Sequence, residues 1–237
     1  MAADEFITVA AAAARLNLTT VAVRKLLARR ALVGTRVGRD WAVEAASVER
    51  RLRLSPPAGR PLAQAMCWTI ILELSGSTPA SSVPMWRANN RARARRWLGE
   101  HPLPAHAASL RQRAQPERFR AHPSQLSRLL AHEHLLPTGL SAGQTVGLAG
   151  ASGEQAELYA PVGARDGLVR RHGLFEGAGN VLIRWVNADL WDGMADNLGP
   201  ANTRRDQPEP APRIAVLLDL LESDDPRARR EARAAQW

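Results

Sequence analysis

The first fifty residues alternate between helical and extended apolar spacing. Ala10 to Leu16 is a run of helix formers behind the polar Thr8, which predicts a helix with Thr8 as its N-cap. Asn17-Leu18-Thr19-Thr20 interrupts that run. It predicts a tight turn, with Thr19 capping a second helix from Thr20 to about Arg29. Ala12 or Ala13, Leu16, Val23, Leu26 and Leu27 would then face one another, as in a helix-turn-helix. Val33 to Val43 changes to strict alternation around Gly38-Arg39-Asp40, the pattern of a hairpin. Ala45 to Leu54 returns to helical spacing, with Val48 and Leu52 on one side.

Ser55-Pro56-Pro57-Ala58-Gly59 reads as a linker. Beyond it, Leu62 to Leu74 predicts an apolar helix closed by Ser75-Gly76, followed by a Ser/Pro loop from Gly76 to Pro84. Trp86 to Leu98 predicts a basic helix held by Trp86, Trp97 and Leu98. Gln125 to Leu136 has Leu126, Leu129 and Leu130 at helical spacing, and 157–162 and 180–186 read as strands. Arg213 to Glu222 reads as an apolar helix, and Asp225-Pro226 opens another with Asp at N-cap and Pro at N1. The polar stretch 197–212 predicts a loop. The pattern therefore predicts a multi-domain α+β protein without internal repeats. Its parts are an α-rich segment at 1–56, a helical connector at 60–121 and a mixed α/β domain at 122–237.

Composition narrows the class. The chain has 237 residues, 45% apolar and 23% charged, ordinary for a globular protein. No apolar run approaches the roughly 20 residues that span a bilayer, and the acidic Met1-Ala-Ala-Asp-Glu start does not read as a signal peptide. The expectation is a cytoplasmic protein with no membrane contact. The single cysteine, Cys67, excludes an intramolecular disulfide framework and a multi-cysteine zinc site. The net charge is +9, and it is unevenly spread. Residues 1–60 hold 11 basic and 5 acidic side chains, residues 61–140 hold 10 and 4, and residues 141–237 hold 11 and 14. Such asymmetry fits a polyanion partner for the front of the chain, or simply a well-solvated surface.

Ile7-Thr8-Val9, the Ala-rich helix, Leu18-Thr19, Leu32, Arg36-Val37-Gly38-Arg39-Asp40-Trp41 and Ser47-Val48-Glu49 together resemble the excisionase/MerR-type winged helix-turn-helix over residues 6–54. The resemblance implies duplex DNA as partner, the second helix in the major groove and the hairpin as a wing on the backbone or minor groove. Carried over by position, the exposed helix face is Thr19, Thr20, Ala22, Arg24, Lys25 and Ala28. Thr19 and Thr20 suit phosphate contact at a helix N-terminus. Arg24 is the base reader, since a guanidinium matches guanine O6 and N7 bidentately. Lys25, Arg29 and Arg30 are assigned to phosphates, and Arg36 and Arg39 to the backbone beside the wing. Trp41 is either a plug under the wing or a DNA contact. The family usually has Gly where Arg30 stands, and Arg in that left-handed conformation costs roughly 1–2 kcal/mol. Val21 and Ala22 replace positions that are often polar, so base reading is expected to be sparse and to need a homodimer or DNA shape.

A second resemblance, over residues 60–237, rests on Arg118-Phe-Arg-Ala-His-Pro123, Leu136-Pro-Thr-Gly139, the strands at 157–162 and 180–184, and Leu218 to Arg227. These are similar to antitoxins paired with abortive-infection-type nucleotidyltransferase toxins. The implied function is a transcriptional repressor that binds its own operator and serves as the antitoxin of a toxin–antitoxin pair. The alternatives are an excisionase-like architectural or recombination factor and a stand-alone transcriptional regulator. An enzyme acting on nucleic acid is a third class.

Catalytic chemistry is not legible. The glycines at 147–153 fit neither phosphate-binding spacing. Gly76-Ser77 is similar to the opening of a nucleotidyltransferase motif, but no acidic pair follows to hold magnesium. His132 and His134 at i, i+2 of a helix diverge, so no shared metal is expected. Asp189, Asp192 and Asp196 read as a solvated face, and Asp219 as a partner for Arg213 or Arg184. Arg91, Arg93, Arg95 and Arg96 either track phosphates or solvate a helix. Cys67 reads as a core residue. The expectation is a non-enzyme without cofactor or metal.

Overall fold

The computed structural model describes residues 6–38, 40–53, 61–76, 84–132, 134–148, 154–195 and 209–237. Arg39, the linker at 54–60 and most of the 197–212 loop lie outside them. The described chain is mixed α+β with two sheets.

The N-terminal module runs from strand β1 (Phe6–Thr8) through helices α1 (Val9–Leu16) and α2 (Thr20–Ala28), strands β2 (Gly34–Val37) and β3 (Asp40–Glu44), and helix α3 (Ala45–Arg53). Thr8 Oγ1 accepts from the Ala11 amide at 3.1 Å, and Thr19 Oγ1 from Ala22 at 3.2 Å. Each cap satisfies one of the amides a helix start leaves bare. Both helices end left-handed, at Asn17 (φ 52) and Arg30 (φ 56). At the second, the Ala31 amide reaches Leu26 O at 2.8 Å and Arg30 N reaches Leu27 O at 3.0 Å, the paired bonds of a Schellman end. Arg30 thus takes the conformation glycine usually supplies. β1 and β2 flank β3, both antiparallel to it, and Val37 pairs with Asp40 across a two-residue turn. Gly38 (φ 62) provides the positive φ such turns need. A Cβ on Gly34 would stand 2.8 Å from Leu27 Cδ2, so glycine lets the hairpin close on α2. Val9, Ala12, Ala13, Val23, Leu27, Leu32, Val43 and Val48 form this module's own core, with Trp41 packed on its edge. Leu52, expected beside Val48, is instead exposed.

The remainder builds on a five-stranded sheet of order β5-β6-β8-β4-β7. Its strands are β4 (Gln115–Arg120), β5 (Leu136–Pro137), β6 (Ala156–Pro161), β7 (Phe175–Glu176) and β8 (Val181–Val186). Only β6 and β8 run parallel, and helix α7 (Arg165–His172) lies in their crossover, as parallel pairing requires. Helices α4 (Gln64–Leu74) and α5 (Ala88–Glu100) precede the sheet, α6 (Pro123–Leu130) follows β4, and α8 (Ala188–Ala195), α9 (Arg213–Glu222) and α10 (Pro226–Ala234) close the chain. The predicted helix over 125–136 stops at Leu130, and Leu136 enters β5 instead. The solvated aspartate face at 189–196 is a helix in its described part.

The connector predicted at 60–121 does not stand apart. Trp68, Ile70, Ile71 and Leu72 of α4 share one apolar cluster with Tyr159, Val186, and Ile214 to Leu218 and Leu220 of α9. β4, from the same stretch, lies inside the sheet between β8 and β7. Helix α4 buries nearly its whole length, so it needs neighbours on several sides. Cys67 is buried there, and burial pushes its thiol up to about 12. Arg91 and Arg95 both pair with Glu73 of α4, and Arg91 lies over the Trp86 ring at 4.8 Å, which ties α5 to the fold.

His172 is buried at the end of α7, and neither ring nitrogen has a hydrogen-bond partner among the described residues. Burial, with His132, Arg171 and Arg128 nearby, holds its pKa below the ordinary histidine value. The unfolded chain therefore takes up this proton first, near pH ~6.5. Stability is expected to fall as pH drops through ~6.5 toward the lower folded value. His172→Phe should flatten that part of the profile in urea midpoints measured from pH 7.5 to 5.5; an unchanged slope would assign it elsewhere.

Candidate nucleic-acid interface

Thr19 to Arg30 and the β2–β3 hairpin bring most of the predicted site residues together. Thr20, Arg24, Lys25 and Arg29 are exposed along α2 and its C-cap. Thr19 is exposed too, but its hydroxyl oxygen already accepts the Ala22 amide. Ala22 departs from expectation: it is half-buried on the flank of the helix. Arg36 is exposed on β2, opposite Trp41 in register. Arg39 falls outside the described residues.

Charge availability separates these groups from the arginines of the buried networks, though not from other exposed arginines such as Arg93, Arg96, Arg128 and Arg170. Arg24, Lys25, Arg29 and Arg36 make no ion pair with another described residue, whereas Arg113, Arg165 and Arg184 are held by several carboxylates each. A cationic face without internal partners is the kind that neutralises an external polyanion.

Arg30 is not part of that face. The sequence assigns it to phosphate, but its guanidinium reaches the second module. It pairs with Glu117 on β4 and with Glu176 on β7, the latter at 2.6 Å. Arg165 binds the same two carboxylates, at 2.7 and 2.5 Å, and Trp185 Nε1 donates to Glu117 at 2.8 Å. These contacts hold the Glu117 carboxyl below the usual carboxylate range despite burial. Arg50 of α3 makes a second bridge, to Asp224, which Arg118 also binds at 3.0 Å. The Arg30 ion pairs joining residues 87 and 146 positions away carry no local sequence signal.

Of the apolar groups on this face, the sequence marks Val21 only as a departure from the family's polar positions and gives Val37 no role. Val21 of α2 is 57% exposed and Val37 at the hairpin tip 64%. For Val21 the signal was helical spacing: it precedes Lys25 by four residues and so shares its face.

The C-terminal module carries a different cluster. Asp219 of α9 is fully buried and accepts from Arg184 Nε at 2.8 Å, Tyr159 Oη at 3.0 Å and Arg113 Nε at 3.2 Å, with Thr138 alongside. Arg184 is one of its two predicted partners; Arg213 instead donates to Gln236 O. Arg113 also pairs with Glu222 at 2.6 Å, and Arg184 with Glu157 at 3.2 Å. Two arginines are shared among three carboxylates, in a network that fastens β6, β8 and α9. Among the described residues no group of His, Cys, Asp and Glu is arranged to hold a metal ion, and no helix is long and apolar enough to cross a membrane.

No family model matches this chain, and neither the curated proteins nor the solved structures contain a detectable relative.

Proposed function

We propose that residues 6–53 are a winged helix-turn-helix that binds duplex DNA, with α2 in the major groove and the β2–β3 hairpin as the wing. The observation that carries this reading is the α1–turn–α2 pair packed on a hairpin, with Arg24, Lys25, Arg29 and Arg36 exposed and without an ion pair among the described residues. A helix of this kind presents its first turns to base edges while flanking cations bind phosphates. The residue roles follow the positions. Arg24 reads a base, Thr20 and the α2 N-terminus bind phosphate, and Lys25, Arg29 and Arg36 track the backbone.

The protein then acts as a transcriptional repressor at its own promoter. The C-terminal module is its partner-binding part, and the antitoxin role against a nucleotidyltransferase toxin rests on the sequence resemblance over 60–237. The experiment is capture of genomic fragments by purified full-length protein at two salt concentrations, with sequencing of what is retained. Enrichment of one site at the protein's own promoter, surviving the higher salt, is expected. Diffuse retention that collapses with salt would reduce the reading to counterion release alone.

A further inference from the structure

Helix α2 is apolar at the place where a groove-reading helix goes deepest. At about 100° per residue, Val21, Lys25 and Ala28 all point within about 40° of the direction opposite the buried Val23. Arg24 and Arg29 stand on the flanks of that face. Val21 is in the first turn, next to the Thr19 cap, and is 57% exposed. The module has room for Val21 in its own core only on the other side of the helix, where Val23 and Leu27 already fill it. An exposed, β-branched side chain with a stiff χ1, with Arg24 and Lys25 on the next turn, is matched in polarity and shape by one feature of duplex DNA. That feature is the C5-methyl of thymine, the apolar group on the major-groove edge.

We propose that Val21 is a specificity-determining residue that packs on a thymine methyl in the major groove. This rests on the DNA-binding reading above. It adds to that reading an A·T preference beside the guanine read by Arg24. The side chain discriminates by shape, offers no hydrogen bond, and excludes water from the methyl it covers.

The test uses full-length protein and the duplex enriched from the genome. Each thymine of the site is replaced in turn by deoxyuridine, which removes the methyl and leaves base pairing intact. Wild-type protein is expected to bind about fourfold more weakly when the one contacted thymine is changed, the loss for one buried methyl. Val21→Ala is expected to bind the thymine and deoxyuridine duplexes equally at that position. Val21 is exposed and Ala favours helix, so the variant folds. A thymine preference unchanged in Val21→Ala, or none at any position in the wild type, overturns the proposal while leaving DNA binding intact; the apolar face then belongs to a protein contact. Absence of any enriched sequence overturns the DNA-binding reading itself, which separates the two failures.

Discussion

Asp219→Ala is expected to destabilise the C-terminal module by about 3–5 kcal/mol, the cost of removing one partner from a buried ionic network. Asp219 is fully buried, and so are Arg113 and Arg184, both of which it binds. Its loss leaves two guanidinium groups facing Glu157 and Glu222 alone and takes the acceptor from Tyr159 and Thr138. Each guanidinium keeps one carboxylate, so the costly part is the set of buried donors left without their acceptor. Asp219→Asn keeps the shape and one acceptor, and is expected to lose less than Asp219→Ala. Guanidinium unfolding followed by tryptophan fluorescence reads this out, because all tryptophans except Trp41 lie beyond residue 60. A midpoint shift equivalent to under about 1 kcal/mol would mean that the network is replaceable by solvent or repacking.

Arg24→Ala is expected to weaken binding to the enriched site by roughly 10–100-fold, the range for one bidentate base contact. Two features support this. The side chain is exposed in the first half of α2, and no described carboxylate holds it. The decisive comparison is between the natural site and sites with each guanine replaced. A base reader loses its preference at one position when mutated. A phosphate contact loses affinity on every sequence alike and lowers the salt slope by about one. Uniform loss would therefore move Arg24 to the backbone-contacting set, and unchanged affinity would remove it from the interface.

What could be read from the chain was local. Thr8, Thr19 and Asp225 cap as expected because a hydroxyl or carboxylate needs only the next turn's amides. The β2–β3 hairpin follows from alternation around Gly38, whereas the left-handed exit of α2 at Arg30 runs against the expectation that an arginine there would change the exit turn. What escaped is non-local. Gln115-Pro-Glu-Arg-Phe-Arg120 does not read as a strand, since its inward positions are Glu117 and Phe119. Glu117 is tolerated inside only because Arg165 and Trp185 reach it from distant elements. Helix α7 is polar and interrupted by Gly167, so its spacing carries little signal. The supposed connector belongs to the main core because α9, far along the chain, supplies its apolar neighbours. On the candidate face the charges were legible and Val21 was legible only as a missing polar residue, since an exposed apolar residue has no role until its neighbours are known.

The joint at Arg30 has a mechanical consequence. The three apolar clusters each stay within one module, so no shared core welds residues 6–53 to the sheet. Arg30 and Arg50 fasten them through ion pairs; Arg30 and Glu176 are open to solvent, while Glu117 and Arg50 are largely buried, so salt acts first on the Arg30–Glu176 pair. Such pairs weaken as the screening length falls from about 10 Å at 0.1 M salt to about 3 Å at 1 M. The two modules are therefore expected to move more independently as salt is added. The molecule's stiffness is set by the ionic medium, and rotational correlation times of the two halves would diverge as salt is added.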